Sequence, residues 1–320
     1  METKKQSKKK KGWNKPTKIF YWSMFALPLL QFAIFYIGVN FNSILLAFQD
    51  IVIERNAETG SVQYITEFVG LETFKRFFTV ELTGATSKFA SAIPNSLIYL
   101  AFSVIVVIPL GLLFSYYIYK KMPLAETFRL FLFVPSIICG LILVIFYNSI
   151  VDQVYPTIAE MITGVRPEGL LTNSETAFGA LGFFSFFFAF GPSVLIYVNA
   201  MSQISPSVIE SAELDGATGM KQFTKIVLPM IFPSIVSYIV IQFAQVAVNQ
   251  LNAYSFYGTG AGNMKADSIG YVLFNYVADT AQSNSSFAIA SAGGLFFTLI
   301  VAPITLLIRW ALEKFGPSED

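Results

Sequence analysis

Six runs of this chain contain no charged residue: 19–49, 89–119, 130–151, 176–209, 226–264 and 280–308. Each exceeds the ~20 residues that a helix needs to cross ~30 Å of hydrocarbon. Lipid offers no partner to an unsatisfied backbone N–H or C=O, so helices are the expected form of such runs. The pattern predicts an all-α membrane protein with six transmembrane helices. Their cores are expected at roughly 20–31, 93–117, 130–150, 178–200, 231–251 and 287–308, the first continuing to about residue 46. Composition agrees, since the chain is 54% hydrophobic and only 13% charged, outside the usual range of soluble domains.

The basic residues orient these spans. Taking the segments between spans alternately, 15 of the 21 Lys and Arg fall on the side of the N-terminus and 6 on the other. The positive-inside rule then places both termini in the cytoplasm. Residues 1–18 read as a basic cytoplasmic tail, 19–310 as the membrane domain and 311–320 as a cytoplasmic C-terminal tail. The apolar run after the Lys-rich start is too long for a signal-peptide core, so it is expected to be an uncleaved first span. Within the membrane domain, 49–90 is the longest external segment and is expected to fold back as short helices. Segments 151–177 and 252–283 are also expected outside, and 201–230 is expected as a cytoplasmic loop.

Several functions are disfavoured by what is missing. The chain has no His and a single Cys139, which removes the commonest metal ligand, general base and proton relay. A net charge of +1 implies no nucleic-acid partner. No predicted span contains Asp, Glu, Lys, Arg or His. Proton relays accept the ~2.5–3.5 kcal/mol cost of such groups, so a proton-driven carrier is disfavoured. A sodium-driven one could still use carbonyls and hydroxyls. No Gly-Lys pair occurs, so no phosphate-binding loop of the G-x-x-x-x-G-K type is present. Energy for any transport is expected to enter from another polypeptide.

The fifth span carries Tyr238, Gln242, Gln245, Asn249 and Asn252, spaced 4, 3, 4 and 3 apart. On a continuous helix these five share one face. Gln250 and Asn263 lie off that face, and Ile239, Val240, Phe243, Val246 and Ala247 lie opposite. Such a stripe can hydrogen-bond neighbouring helices. It can also line a pathway for a neutral, hydroxyl-rich solute, because amides both donate and accept. Four amides and a Tyr exceed what packing usually needs, which favours the pathway. Tyr147, Asn148, Tyr197, Asn199 and Ser291 are weaker candidates in other spans, and the Phe cluster at 183–190 reads as lipid-facing or core bulk.

The loop between spans four and five is polar and structured. Ser205 is expected as an N-cap and Pro206 as the first helical residue. Asp215-Gly216 should break that helix, since Gly readily takes φ > 0. A second helical segment at 220–227 should follow, with Pro229 and Pro233 punctuating the approach to span five. An amphipathic interfacial helix and a partner-docking helix both fit this pattern.

The string Glu210-Ser211-Ala212, then Gly216, then Ile226-x-Leu228-Pro229 resembles the EAA loop of binding-protein-dependent ABC importer permeases, with Ser211 for the usual Ala. Asp215-Gly216-Ala217 and Phe223 make it similar to the carbohydrate branch. Other segments agree in order: Phe68-Val69-Gly70-Leu71-Glu72-Thr73-Phe74, Asn95-Ser96-Leu97, Phe128-Arg129 with Val134-Pro135, and Phe287-Ala288-Ile289-Ala290. The resemblance covers roughly 20–310 and is nearest to the maltose-type "F" subunit. Departures are the lack of a Trp in span four and a Gly-Thr-Gly-Ala-Gly stretch at 258–262 where the family has Gly-Gly-Pro.

This resemblance implies a type I ABC importer permease fold and a coupling role for Glu210, Ser211, Ala212, Asp215, Gly216 and Ala217. It implies a second permease subunit, two cytoplasmic ATPase subunits and an extracytoplasmic solute-binding protein as partners. ATP and Mg would reside on the ATPase subunits, with no cofactor on this chain. Substrate contacts would fall on Tyr238, Gln242, Gln245, Asn249 and Asn252, with Tyr197 and Ser291 beside them. The implied setting is a bacterial cytoplasmic membrane and the implied cargo an oligosaccharide or related glycan. A peptide or other polar solute is the alternative cargo, and an ion-coupled carrier the alternative class.

Overall fold

The computed structural model describes residues 15–55, 62–85, 87–259, 265–278 and 285–317. Five helices are long and apolar enough to span a bilayer: Lys18–Leu46, Phe89–Tyr119, Gly140–Thr163, Ala177–Met201 and Ser286–Phe315. Two further helices, Gly219–Met230 and Phe232–Ala244, bent by 70° at their junction, pass the same test only as a pair. The six expected spans correspond to five long helices and this bent pair, counted among the described residues. In chain order they are called the first, second, third, fourth, bent and last spans.

Three differences from the sequence reading have physical causes. The third span does not occupy 130–150 as one helix. A helix over Ala125–Ile137 ends at residues 138 and 139, whose ψ angles of 141° and 127° are extended, and a new helix starts at Gly140. That helix runs past Asp152 to Thr163, so the first part of the segment expected outside is helical. Asp152 is accommodated because its carboxylate accepts the Leu171 N–H at 2.9 Å and the Thr172 hydroxyl at 3.0 Å.

The second difference lies in the long segment after the first span. It begins as an antiparallel hairpin, β1 (Gln49–Arg55) and β2 (Val62–Phe68), in register from Gln49 opposite Phe68 to Arg55 opposite Val62. Both strands are rich in β-branched residues, which suit a pleated ribbon better than a helix. The all-α expectation is corrected to a helical protein with one hairpin. Only then come the short helical turns over Glu72–Arg76 and Phe77–Leu82.

These turns are fixed by aromatic packing. Phe77 is fully buried, with ring centroids 5.5 Å from Phe89 on the second span and 6.3 Å from Phe297 on the last. Burying an aromatic side chain of this size stabilises by roughly 1.5–3 kcal/mol. The third difference is an early end to the helix carrying the polar stripe, which stops at Ala244.

The second span packs on the fourth, and the fourth on the helix Ala125–Ile137. There the backbones nearly touch: a Cβ on Gly191 would lie 1.8 Å from the Leu132 carbonyl oxygen. Small residues permit such approaches in membranes, where packing rather than hydrophobicity drives helix association. Two buried clusters lie at opposite ends of the second span. One is aromatic and sits at the hairpin end, around Phe77, Phe89 and Phe297. The other, around Tyr116, Tyr197, Phe223 and Val227, underlies the loop before the bent span. The C-terminal tail expected from 311 is helical to Phe315. Residues 1–14, Asn263 and most of the glycine-rich stretch at 258–262 lie outside the described residues.

Candidate functional site

The loop at 201–230 is ordered by its own residues. Ser205 is extended at ψ 131° and Pro206 opens a helix over Pro206–Leu214. The cap is not the expected one, because the Ser205 hydroxyl pairs with the Ser207 hydroxyl at 2.8 Å and bonds no helical N–H. The helix closes as expected. Gly216 takes φ +76°, its N–H reaches the Glu213 carbonyl at 3.0 Å, and the Ala217 N–H reaches the Ala212 carbonyl at 2.8 Å. A left-handed residue at this position is the usual way a helix satisfies its last carbonyls.

This turn sorts the six predicted coupling residues. Ala212 and Ala217 are buried beneath the loop, while Glu210, Ser211, Asp215 and Gly216 are exposed. Between them Leu214 is 90% exposed, an apolar tip on a polar surface. The loop is held from below by residues that sequence reading did not select. Tyr116 of the second span donates to the Gly219 carbonyl at 3.0 Å and to the Gln222 side-chain oxygen at 3.1 Å. Lys120 pairs with Glu213 at 2.8 Å. That hydrogen bond holds the Glu213 carboxyl below its ordinary range. None of these pairings leaves a local signal, since each joins positions about a hundred residues apart.

The polar stripe is built differently from its sequence reading. The helix Phe232–Ala244 carries Tyr238 and Gln242, but Gln245 is its C-cap. Beyond it the chain turns, and Leu251 and Asn252 are left-handed at φ 52° and 58°. Asn249 is part of the cause: its side-chain oxygen accepts the Leu251 N–H at 2.9 Å, a local turn that competes with the helix. Asn249 and Asn252 therefore share no helical face with Tyr238.

Part of the stripe nevertheless converges. Gln242, Gln245 and Asn249 line a recess with Ser96, Tyr99 and Ser268. Its volume is about 10 Å³, room for one water-sized sphere and far too little for a sugar ring. Gln242 accepts the Ser103 hydroxyl at 3.0 Å. The Tyr238 ring meets Tyr197 edge-on at 5.5 Å. Tyr197 is fully buried and, among the described residues, its hydroxyl has no hydrogen-bond partner. Asn252 points away from the recess and donates to Ser185 on the fourth span at 3.2 Å. Ser291 lies apart, in a separate hollow with Ala247, Gln250 and Phe274.

The recess is completed by the turn after the bent span. Asn95 donates to the Lys265 and Asp267 carbonyls at 2.8 and 2.9 Å, and Ser96 accepts the Ile269 N–H at 3.0 Å. Ser268 donates to the Asn249 carbonyl at 2.8 Å. The Asn95-Ser96 pair in the sequence thus has a structural task, clamping residues 265–269 against the second span. Asp267 beside it is 3% exposed, and burial pushes its carboxyl up to about 6 despite the opposing charge of Lys88. Among the described residues no three His, Cys, Asp or Glu gather as a metal site.

A bundle of apolar helices, a structured polar loop and a polar recess beside the bent span define a membrane transport component. The chain matches the family described as "Binding-protein-dependent transport system inner membrane component" over residues 108–318. It belongs to that family and is a multi-pass inner-membrane protein. It is similar to the multiple sugar-binding transport system permease protein MsmF of Streptococcus mutans, 22% identical over 93% of this chain and 97% of that one. It is also similar to the arabinooligosaccharides transport system permease protein AraP of Bacillus subtilis, 23% identical over 93% and 91% of the two chains. Among solved structures it resembles a chain of a bacterial alginate ABC transporter in complex with an alginate pentasaccharide-bound periplasmic protein. That match has a TM-score of 0.71 at 19% identity and covers 95% of this chain and 97% of the other. This likeness supports the permease fold.

Proposed function

We propose that this chain is the transmembrane permease subunit of an ATP-driven importer for an oligosaccharide or related glycan. It pairs with a second permease, two cytoplasmic ATPase subunits and an extracytoplasmic solute-binding protein. ATP and Mg belong to the ATPase subunits. Both termini and the loop at 201–230 face the cytoplasm.

The observation that carries this reading is the loop. Its left-handed turn at Gly216 holds Glu210, Ser211, Leu214 and Asp215 outward on a rigid base. An exposed apolar tip rimmed by acids is a surface built for a groove in a soluble partner. Closure of that partner on nucleotide would shift the permease between inward-open and outward-open states, by differential binding to the two. Tyr99, Tyr238, Gln242, Gln245 and Asn249 would meet the solute when the recess opens. Its lining residues carry donors, acceptors and one flat ring, that of Tyr99, but no cation. That suits neutral sugar hydroxyls better than uronate carboxylates, which need a cation when desolvated.

Purification of the chain from its native membrane tests the reading. An ATPase subunit and a second permease should accompany it, and vesicles holding the complex and its binding protein should accumulate sugar only with ATP. A chain that purifies alone and moves solute down an ion gradient would end this proposal.

A further inference from the structure

We infer that Tyr116 and Gln222 form a buried latch through which the loop moves the second span as well as the bent span it precedes. The inference rests on the coupling role proposed for the loop. The Gln222 side chain is fully buried, bonded to Tyr116, which belongs to an apolar cluster that includes Ile108, Leu112, Ile204 and Val227. Its amide joins three elements. It sits on Gly219–Met230, accepts from Tyr116 of the second span at 3.1 Å, and donates to the Ile209 carbonyl of Pro206–Leu214 at 3.4 Å. Tyr116 shares its proton between that oxygen and the Gly219 carbonyl at 3.0 Å, and its ring lies 4.8 Å from Phe223. Separating any one element from the other two would strand a buried amide or hydroxyl, which is expensive in an apolar setting. The three therefore move as one body.

The consequence lies at the far end of the second span. This helix runs over Phe89–Tyr119, α-helical except for a π-helical turn at Ser103–Val107, and about 20 Å from Tyr116 along its axis it carries Ser103, bonded to Gln242. Tyr99 and Ser96 follow at the recess. The covalent route from loop to recess passes through the 70° bend after Met230, where displacement can be absorbed. The second span carries a π-helical turn at Ser103–Val107 and Pro109 but no bend of that size, so it is the straighter route. A displacement of the loop reaches the recess from two sides, through Gln242 on the bent span and through Ser103 opposite it. Tyr116 and Gln222 are thus positioning residues for coupling. Lys120 and Glu213 flank the latch at the surface, where a pair of this kind adds little.

The test uses the reconstituted complex with its ATPase subunits and binding protein. Tyr116→Phe keeps the ring on Phe223 and removes both hydroxyl bonds, and Gln222→Met keeps the volume and removes the amide. Each is expected to leave the ATPase subunits bound and basal hydrolysis within about twofold, and to lower sugar moved per ATP hydrolysed about tenfold. A merely structural role would not move that ratio in complexes that still assemble. A wild-type ratio in both variants overturns the latch. So does loss of the ATPase subunits with a wild-type ratio in whatever complex survives. Failure of the coupling role itself reads differently, as normal transport by Gly216→Pro.

Discussion

The loop end and the recess end of this protein were written into the chain in different ways. At the loop, short-range chemistry decides the structure: Pro206 starts a helix, Gly216 ends it at φ +76°, and proline follows at 229. At the recess, a periodic stripe promised one helical face, and a local turn, held against the second span, overrode it. The helix stops at Ala244, and the Asn249 side-chain oxygen accepts the Leu251 N–H. Three of the five polar side chains still reach common ground, because the turn folds back against the second span and is clamped there by Asn95 and Ser96. A loop can be specified by its own residues. A recess between helices is specified by residues far apart, of which any one segment shows only a part.

Perturbations of the two ends should differ in kind, and the largest is expected at the loop. Proline at 216 cannot adopt φ +76° and cannot donate to Glu213. Gly216→Pro should reduce ATP-dependent uptake by ~100-fold or more, beyond the several kcal/mol such a turn tolerates, with the chain still in the membrane by fractionation. At the recess, Gln242→Leu leaves the Ser103 hydroxyl without its acceptor. Uptake should fall about tenfold while the complex assembles normally by size-exclusion chromatography, a loss worth one buried hydrogen bond.

Asp267 separates stability from transport. Its carboxyl is pushed up to about 6, so the folded state holds the proton more tightly than the unfolded chain does. Ionisation above that value costs the fold, by about 3 kcal/mol at full effect, and the deficit is relieved as pH falls from about 7 toward 4. Thermal unfolding should therefore shift upward between pH 7.5 and 5. Asp267→Asn should raise the midpoint at pH 7.5 and flatten that slope. The smallest effects are expected at the surface and off the path. Neutralising the exposed Lys120–Glu213 pair should change uptake by about twofold or less, and most at low salt. Ser291→Ala should leave transport unchanged, since Ser291 lies in a separate hollow.

The same contrast explains what could be read in advance. Uncharged runs located six membrane segments because charge in lipid is costly, and that rule needs no tertiary knowledge. It could not place the break at residues 138 and 139, where the run stays apolar on both sides. It also missed the hairpin: the β propensity of β1 and β2 was available, but the segment was expected to fold back as short helices. The residues proposed for coupling were legible as a motif, yet the motif does not say that Ala212 and Ala217 face inward and Leu214 outward. Tyr99, Ser103 and Ser268 went unremarked, and Ser96 was noted only within Asn95-Ser96-Leu97, because a lone hydroxyl carries no pattern. Only the fold shows that Ser96, Tyr99 and Ser268 line a recess with Gln242, Gln245 and Asn249, and that Ser103 bonds Gln242.

The central claim is that outside energy enters at 210–217 and opens a recess beside the bent span. Sugar-stimulated ATP hydrolysis by the reconstituted complex, compared between the wild-type chain and Gly216→Pro, tests it most directly. The account predicts strong stimulation in the first and none in the second, with the ATPase subunits present in equal amount. Equal stimulation in both would contradict it.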